Sequence, residues 1–139
     1  MESWYIYAIL DAIFAAAATI FAKIGLENIN SLTATAIRSI FITIFIIIIV
    51  LSIEGPSFFY SLSNKNILFI ILSAIFGGIA WIFYFIALKQ GNVVPVSIID
   101  RSSILFVILF SILLLNEKLS TKTIIASILI IIGIYLLSI

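Results

Sequence analysis

Long apolar runs separated by short polar breaks fill the chain. The runs cover residues 4–23, 32–53, 67–88, 93–115 and 121–138. Crossing the hydrocarbon core takes about 20 helical residues, so each run predicts one membrane-spanning helix. Isoleucine stretches such as Ile46-Ile47-Ile48-Ile49 are β-branched and would favour strands in water. Here their membrane length and the absence of apolar–polar alternation favour helices. Barrel strands would be only about ten residues long, with strict alternation. The expected fold is an all-α membrane protein, a five-transmembrane-helix bundle forming one domain over residues 1–139.

The breaks place the turns. The short polar connection from Gly25 to Ser31 makes spans 1 and 2 antiparallel neighbours. Glu54-Gly55-Pro56-Ser57 ends span 2, and Phe58-Phe59-Tyr60 then reads as an interfacial aromatic patch. Asn64-Lys65-Asn66 precedes span 3, and Lys89-Gln90-Gly91-Asn92 forms a tight loop. Pro95 falls in the first turn of span 4, where its missing N–H costs least. Asn116-Glu117-Lys118-Leu119-Ser120 is the last loop, with Ser120 a candidate N-cap for span 5. Every loop is too short for a soluble domain.

Composition supports the membrane assignment: 65% of residues are hydrophobic and 9% charged, with a mean hydropathy of +1.42. So few charges could not cover the surface of a soluble domain. Without cysteine or histidine, disulfides, thiolate chemistry, imidazole catalysis and most transition-metal sites are excluded. No cofactor and no metal are expected. A net charge of +1 gives no reason to expect a nucleic-acid partner. The small residues Ala15 to Ala18 resemble a signal-peptide end, but Met1-Glu2-Ser3-Trp4 has no basic n-region. The first span is therefore expected to be retained.

Charges inside the spans are the sharpest candidates for function. Asp100 and Arg101 stand side by side within span 4, Arg38 within span 2 and Asp11 within span 1. Ionisable groups in hydrocarbon are costly and persist where they pair, line a polar cavity or carry function. At about 1.5 Å of rise per residue, all of them lie roughly 10 Å inside one face or the other. A functional role makes them a polar belt around a substrate path, with Asp100 or Asp11 as an exchangeable charge. A structural role makes Asp100, Arg101 and Arg38 a clamp between helices. Lys23 and Lys89, at span ends, are expected to snorkel to the interface, and Glu117 to order its loop or pair with Lys118. On span 3, Ser73, Gly77, Trp81, Tyr84 and Leu88 share a stripe. Gly77 and Gly78 would allow close helix approach there. Trp81 and Tyr84 could stack on an organic substrate or cation. On span 5, Ala126 and Gly133 share a face two turns apart, a spacing suited to a dimer interface.

Basic residues give little orientation. Lys65, Lys118 and Lys122 fall on one face; Lys23, Lys89 and Arg38 on the other. The positive-inside rule therefore has no strong bias to act on, and insertion in both orientations is expected. Two opposed copies could then pair as an inverted repeat. In such a pair, Asp11 of one copy would stand level with Arg38, Asp100 and Arg101 of the other.

Several stretches together resemble one family. They are Ala22-Lys23-Ile24-Gly25-Leu26, Ala34-Thr35-Ala36-Ile37-Arg38, Ala87-Leu88-Lys89 with Gly91, Ile99-Asp100-Arg101-Ser102-Ser103, and Leu114-Leu115-Asn116-Glu117-Lys118-Leu119-Ser120 leading to Gly133. In order and spacing they resemble the EamA-type domain of the drug/metabolite transporter superfamily, in its five-span bacterial/archaeal branch. Asn116 departs from the glycine usual before the glutamate. The resemblance implies half of an inverted-repeat transporter, acting as a homodimer that moves small organic molecules across the cytoplasmic membrane. The small multidrug resistance proteins of the same superfamily begin similarly, with Tyr5-Ile6-Tyr7 and Lys23. Their membrane glutamate would align on Ala15, one turn from Asp11, so its proton-coupling role is not carried over.

The expected function is thus secondary transport of a metabolite or drug, with the lipid bilayer, the substrate and a second, antiparallel copy as partners. The residues expected at the substrate path are Asp100, Arg101, Trp81, Tyr84, Asp11 and Arg38. No nucleotide-binding loop and no catalytic constellation is visible, so neither direct ATP use nor an enzyme is expected. The alternatives are a flippase for a lipid-linked headgroup, with Arg38 and Arg101 in a basic groove, and a non-transporting membrane subunit.

Overall fold

The computed structural model describes residues 4–55 and 62–136. Those residues form helices joined by short turns: α1 (Trp4–Gly25), α2 (Ser31–Ile53), α3 (Asn64–Gln90), α4 (Val93–Asp100), α5 (Ser103–Leu115) and α6 (Thr121–Leu136). Phe58, Phe59 and Tyr60, expected to form an interfacial patch, lie outside the described residues. The segments long and apolar enough to cross a membrane are Trp4–Gly25, Ser31–Ile53, Asn64–Gln90 and Val93–Leu115, with Thr121–Leu136 a shorter apolar helix. The chain is an all-α, multi-pass membrane protein of about five spans.

The chain divides into two compact units, residues 1–90 and 91–139. In the first, α3 packs against both α1 and α2. Its small core gathers at one end, where Leu26, Phe85 and Leu88 are buried with Ser31 and Thr35. Most other large apolar side chains are exposed, as expected where lipid is the solvent. Polar side chains within α2 satisfy themselves locally. The hydroxyls of Thr35, Ser39 and Thr43 each donate to the carbonyl one turn earlier, at 2.8, 2.9 and 2.8 Å. That pattern lets a serine or threonine sit in hydrocarbon without an orphaned donor. Asn30 starts α2 by accepting from the Leu32 N–H at 2.8 Å, an N-cap that satisfies one free amide. Gly55 follows the Glu54 C-cap at φ 67, the left-handed geometry that commonly closes a helix.

In the second unit, the fourth apolar run is two helices rather than one. The α-helical ladder ends at Asp100, and Arg101 and Ser102 form a turn before α5 begins at Ser103. Amides across the turn reach back three residues: Ser102 N–H to Ile99 O at 2.9 Å, Ile104 N–H to Arg101 O at 3.2 Å, and Leu105 N–H to Ser102 O at 3.0 Å. These amides therefore keep carbonyl acceptors at the break, which a membrane segment favours. Asn116 closes α5 at φ 54. Asparagine is the residue that best replaces glycine in that left-handed position, which accounts for its standing where the resembled family has glycine. Glu117 folds back, its carboxylate accepting from the Ser111 hydroxyl. Ser120 caps α6 as expected, accepting from the Thr123 N–H at 3.1 Å.

Candidate functional site

The side chains that converge most closely lie in the first unit. Arg38 enters from α2, and its guanidinium carbon stands 4.6 Å from the Trp81 ring centroid and 5.5 Å from that of Phe85. Trp81 and Phe85 are one turn apart on α3, so both rings face the same neighbour. A guanidinium over an aromatic face is attracted by the ring quadrupole, and more strongly where water is scarce. Arg38 is half-buried, and none of its guanidinium N–H groups bonds to another described residue.

A second set of contacts ties the same end of the unit together. The Tyr84 and Thr19 hydroxyls are hydrogen-bonded at 3.0 Å, joining α3 to α1. Lys23 Nζ donates to the Leu88 carbonyl and Lys89 Nζ to the Ile29 carbonyl, each at 2.6 Å. The last carbonyls of a helix lack intrahelical partners, and the helix dipole there favours a cation. Lys23 meets both needs of α3. The two lysines thus cross-brace the α1, α2 and α3 ends.

Beside Arg38 the three helices leave a pocket of about 370 Å³. Ala18, Phe21 and Ala22 of α1, Ala34 and Ile37 of α2, and Phe85 of α3 form much of its wall, with Arg38 its charged member. The room comes from small side chains on one face of α1. Ala18, Ala22 and Gly25 follow at helical spacing, and all three border the cavity.

The sequence candidates separate accordingly. Arg38 and Trp81 are brought together, with Tyr84 beside them. Phe85, Thr19 and the α1 pocket wall were not singled out from sequence. Phe85 was detectable as the residue one turn beyond Trp81, and the wall as a small-residue stripe. Asp11 is exposed on α1 and bonds to no described residue. Asp100 and Arg101, at the break in the second unit, are both exposed and form no ion pair with each other. A cis clamp between them is therefore not made. Ala126 and Gly133 are exposed on α6. Among the described residues a Cβ added at Gly77, Gly78 or Gly133 would meet nothing within 4 Å, so the close helix approach expected at Gly77 and Gly78 is not made by any of them.

Comparison with known proteins agrees with this membrane architecture. The EamA-like transporter family matches residues 2–139. A Sinorhizobium sp. protein described as "Uncharacterized transporter in cobO 3'region" is 39% identical over 122 residues, covering 86% of this chain and 84% of that protein. No solved structure matches. With a family match over nearly its full length and a relative named as a transporter, the chain belongs to the EamA-like transporter family and is a multi-pass membrane transporter.

Proposed function

We propose that the protein is a secondary transporter of small organic molecules in the cytoplasmic membrane, with two antiparallel copies forming the working unit. The observation that carries this is the Arg38 pocket: an open pocket among membrane-spanning helices, of a size suited to a small molecule, with a cation in its wall whose partners are aromatic rings. The pairing of copies is supported by Asp11, Asp100 and Arg101. Each is a charge in a membrane segment without a bonded partner among the described residues, and such charges call for a neighbour. Antiparallel copies would set Asp11 of one at the height of the arginines of the other. The balance of basic residues supports insertion in both senses.

Reconstitution into liposomes tests the activity. Solute counterflow from a metabolite library, with hits first chosen by thermal shift of the purified protein, is the expected result. Lipid scrambling without solute flux would replace transport with headgroup flipping. Silence in both, with a co-purifying partner, would make the chain a subunit. For topology, C-terminal reporters active on opposite sides of the membrane should both give signal, and two lysines added to the 116–120 loop should tilt the ratio. A single orientation resistant to added charge would remove the antiparallel pair.

A further inference from the structure

We infer that the α1–α2–α3 pocket is a binding site for an organic carboxylate with a mainly apolar body. The inference deepens the transport proposal and rests on it for calling that ligand the substrate.

Charge comes first. The guanidinium of Arg38 is held by two ring faces, Trp81 at 4.6 Å and Phe85 at 5.5 Å. Rings attract the cation but do not neutralise it, and they leave its N–H donors unused. No described carboxylate or carbonyl accepts from them. Among the described residues no buried side-chain nitrogen or oxygen is left without a partner, so those donors remain accessible. A planar fork of accessible donors in a mainly apolar wall fits a carboxylate, which it can grip through two parallel hydrogen bonds. The other nearby cations are engaged otherwise: Lys23 on the Leu88 carbonyl and Lys89 on the Ile29 carbonyl. A single positive charge in the wall suits one negative charge on the ligand.

Shape and chemistry of the remaining wall fix the body. Phe21, Ile37 and Phe85 offer carbon surface, and Ala18, Ala22 and Gly25 supply the space. At the ~30 Å³ that liquid water takes per molecule, the cavity has room for roughly a dozen non-hydrogen atoms. An aryl or alkyl body fits such a wall. A sugar or a polyol would leave its hydroxyls without partners, a cost that apolar walls do not offset.

The probe is 4-phenylbutyrate, compared with its neutral amide and with 4-phenylbutylamine. Binding is read in lipid nanodiscs by the emission of Trp81 in a Trp4→Phe background, which leaves Trp81 as the remaining tryptophan; empty nanodiscs serve as the blank. The acid should bind about tenfold or more tightly than the amide, the ratio expected for a hydrogen bond to a charged group, and the amine should not bind. Arg38→Gln should erase the preference for acid over amide. Ala22→Leu, which fills the cavity without touching the charge, should weaken acid and amide together. The wild-type comparison needs no variant and stands even if Arg38→Gln does not fold. Equal binding of acid and amide, preference for the amine, or an acid preference that survives in Arg38→Gln would overturn the inference. Counterflow in liposomes separates it from the transport proposal. Acid binding without flux leaves the carboxylate site in place and removes transport, whereas flux of amine or amide without acid keeps transport and removes the carboxylate assignment.

Discussion

The guanidinium of Arg38 rests 4.6 Å from the Trp81 ring centroid, linking α2 to α3 inside the membrane. It explains how one arginine is tolerated in a span as apolar as Ser31–Ile53. Among the described residues the charge has no ion-pair partner; it lies on ring faces next to a pocket.

That contact should be measurable as a coupling. Trp81→Leu removes the better ring and should cost about 1–2 kcal/mol, in the range for a partly desolvated cation–π pair. Arg38→Met alone should cost a similar amount, and the double variant should cost less than the sum. Unfolding in bicelles titrated with denaturing detergent gives all three values. Strict additivity would mean that ring and cation do not act on each other.

The lysines at the same end should differ from each other. Lys23 is partly buried against the α3 terminus, whereas Lys89 is exposed. Lys23→Met should cost about 1–2 kcal/mol, as for a hydrogen bond from a charged group, and Lys89→Met clearly less because water screens it. The same bicelle titration reads both. Equal losses would show that exposure does not govern the brace.

Asn116 offers a backbone test. Its left-handed φ of 54 suits asparagine and glycine and strains a β-branched side chain. Asn116→Gly should leave stability within a few tenths of a kcal/mol, and Asn116→Val should lower it by about 1–2 kcal/mol. If valine proves as stable as glycine in thermal unfolding, the turn does not hold that geometry in the membrane.

Legibility from sequence followed the physics of each feature. The spans were readable because hydrocarbon thickness alone fixes their length, and Ser120 because capping is a local affair. The break after Asp100 was hidden inside an apolar run long enough to be one helix, with no glycine or proline at the turn itself. The polar run Asp100-Arg101-Ser102-Ser103 was its trace. The partners of Arg38 were half visible. Trp81 stood out as an aromatic on the Ser73–Leu88 stripe, but which helix faces meet depends on packing between elements, which helical spacing does not specify. Thr19 was missed for that reason, whereas Phe85 and the small-residue wall carried a spacing signal that did not show which helix they face.

Gly133 now gives a cleaner assembly test than its sequence position suggested. Among the described residues nothing lies within 4 Å of a Cβ placed there, so Gly133→Leu does not crowd them. A dimer built on the Ala126–Gly133 face would nevertheless be overpacked, typically by about 1–3 kcal/mol. The expected result is loss of dimer in mild detergent with unchanged helix content, while Ile132→Leu keeps both. A dimer unaffected by Gly133→Leu would move the interface to another face.

Asp100 and Arg101 yield the most informative pair of substitutions. Were they a buried ion pair, Arg101→Ala would cost about 3–5 kcal/mol by stranding a carboxylate. Instead both are exposed at a helix break without a bond between them, so within one copy Arg101→Ala should cost no more than about 0.5 kcal/mol, and taking an unpaired charge out of the membrane segment offsets even that. Any larger loss should scale with dimer and vanish on dilution to monomer, because the partner charge is then on the other copy. Asp100→Asn keeps size and most hydrogen bonding while removing the exchangeable charge. It should leave folded, inserted protein that fails in counterflow. The antiparallel pairing adds a rescue: reversing Asp11 and Arg101 together should restore part of what either reversal alone removes. Full counterflow in Asp100→Asn would take the break out of the transport step and leave the Arg38 pocket as the place where substrate is held.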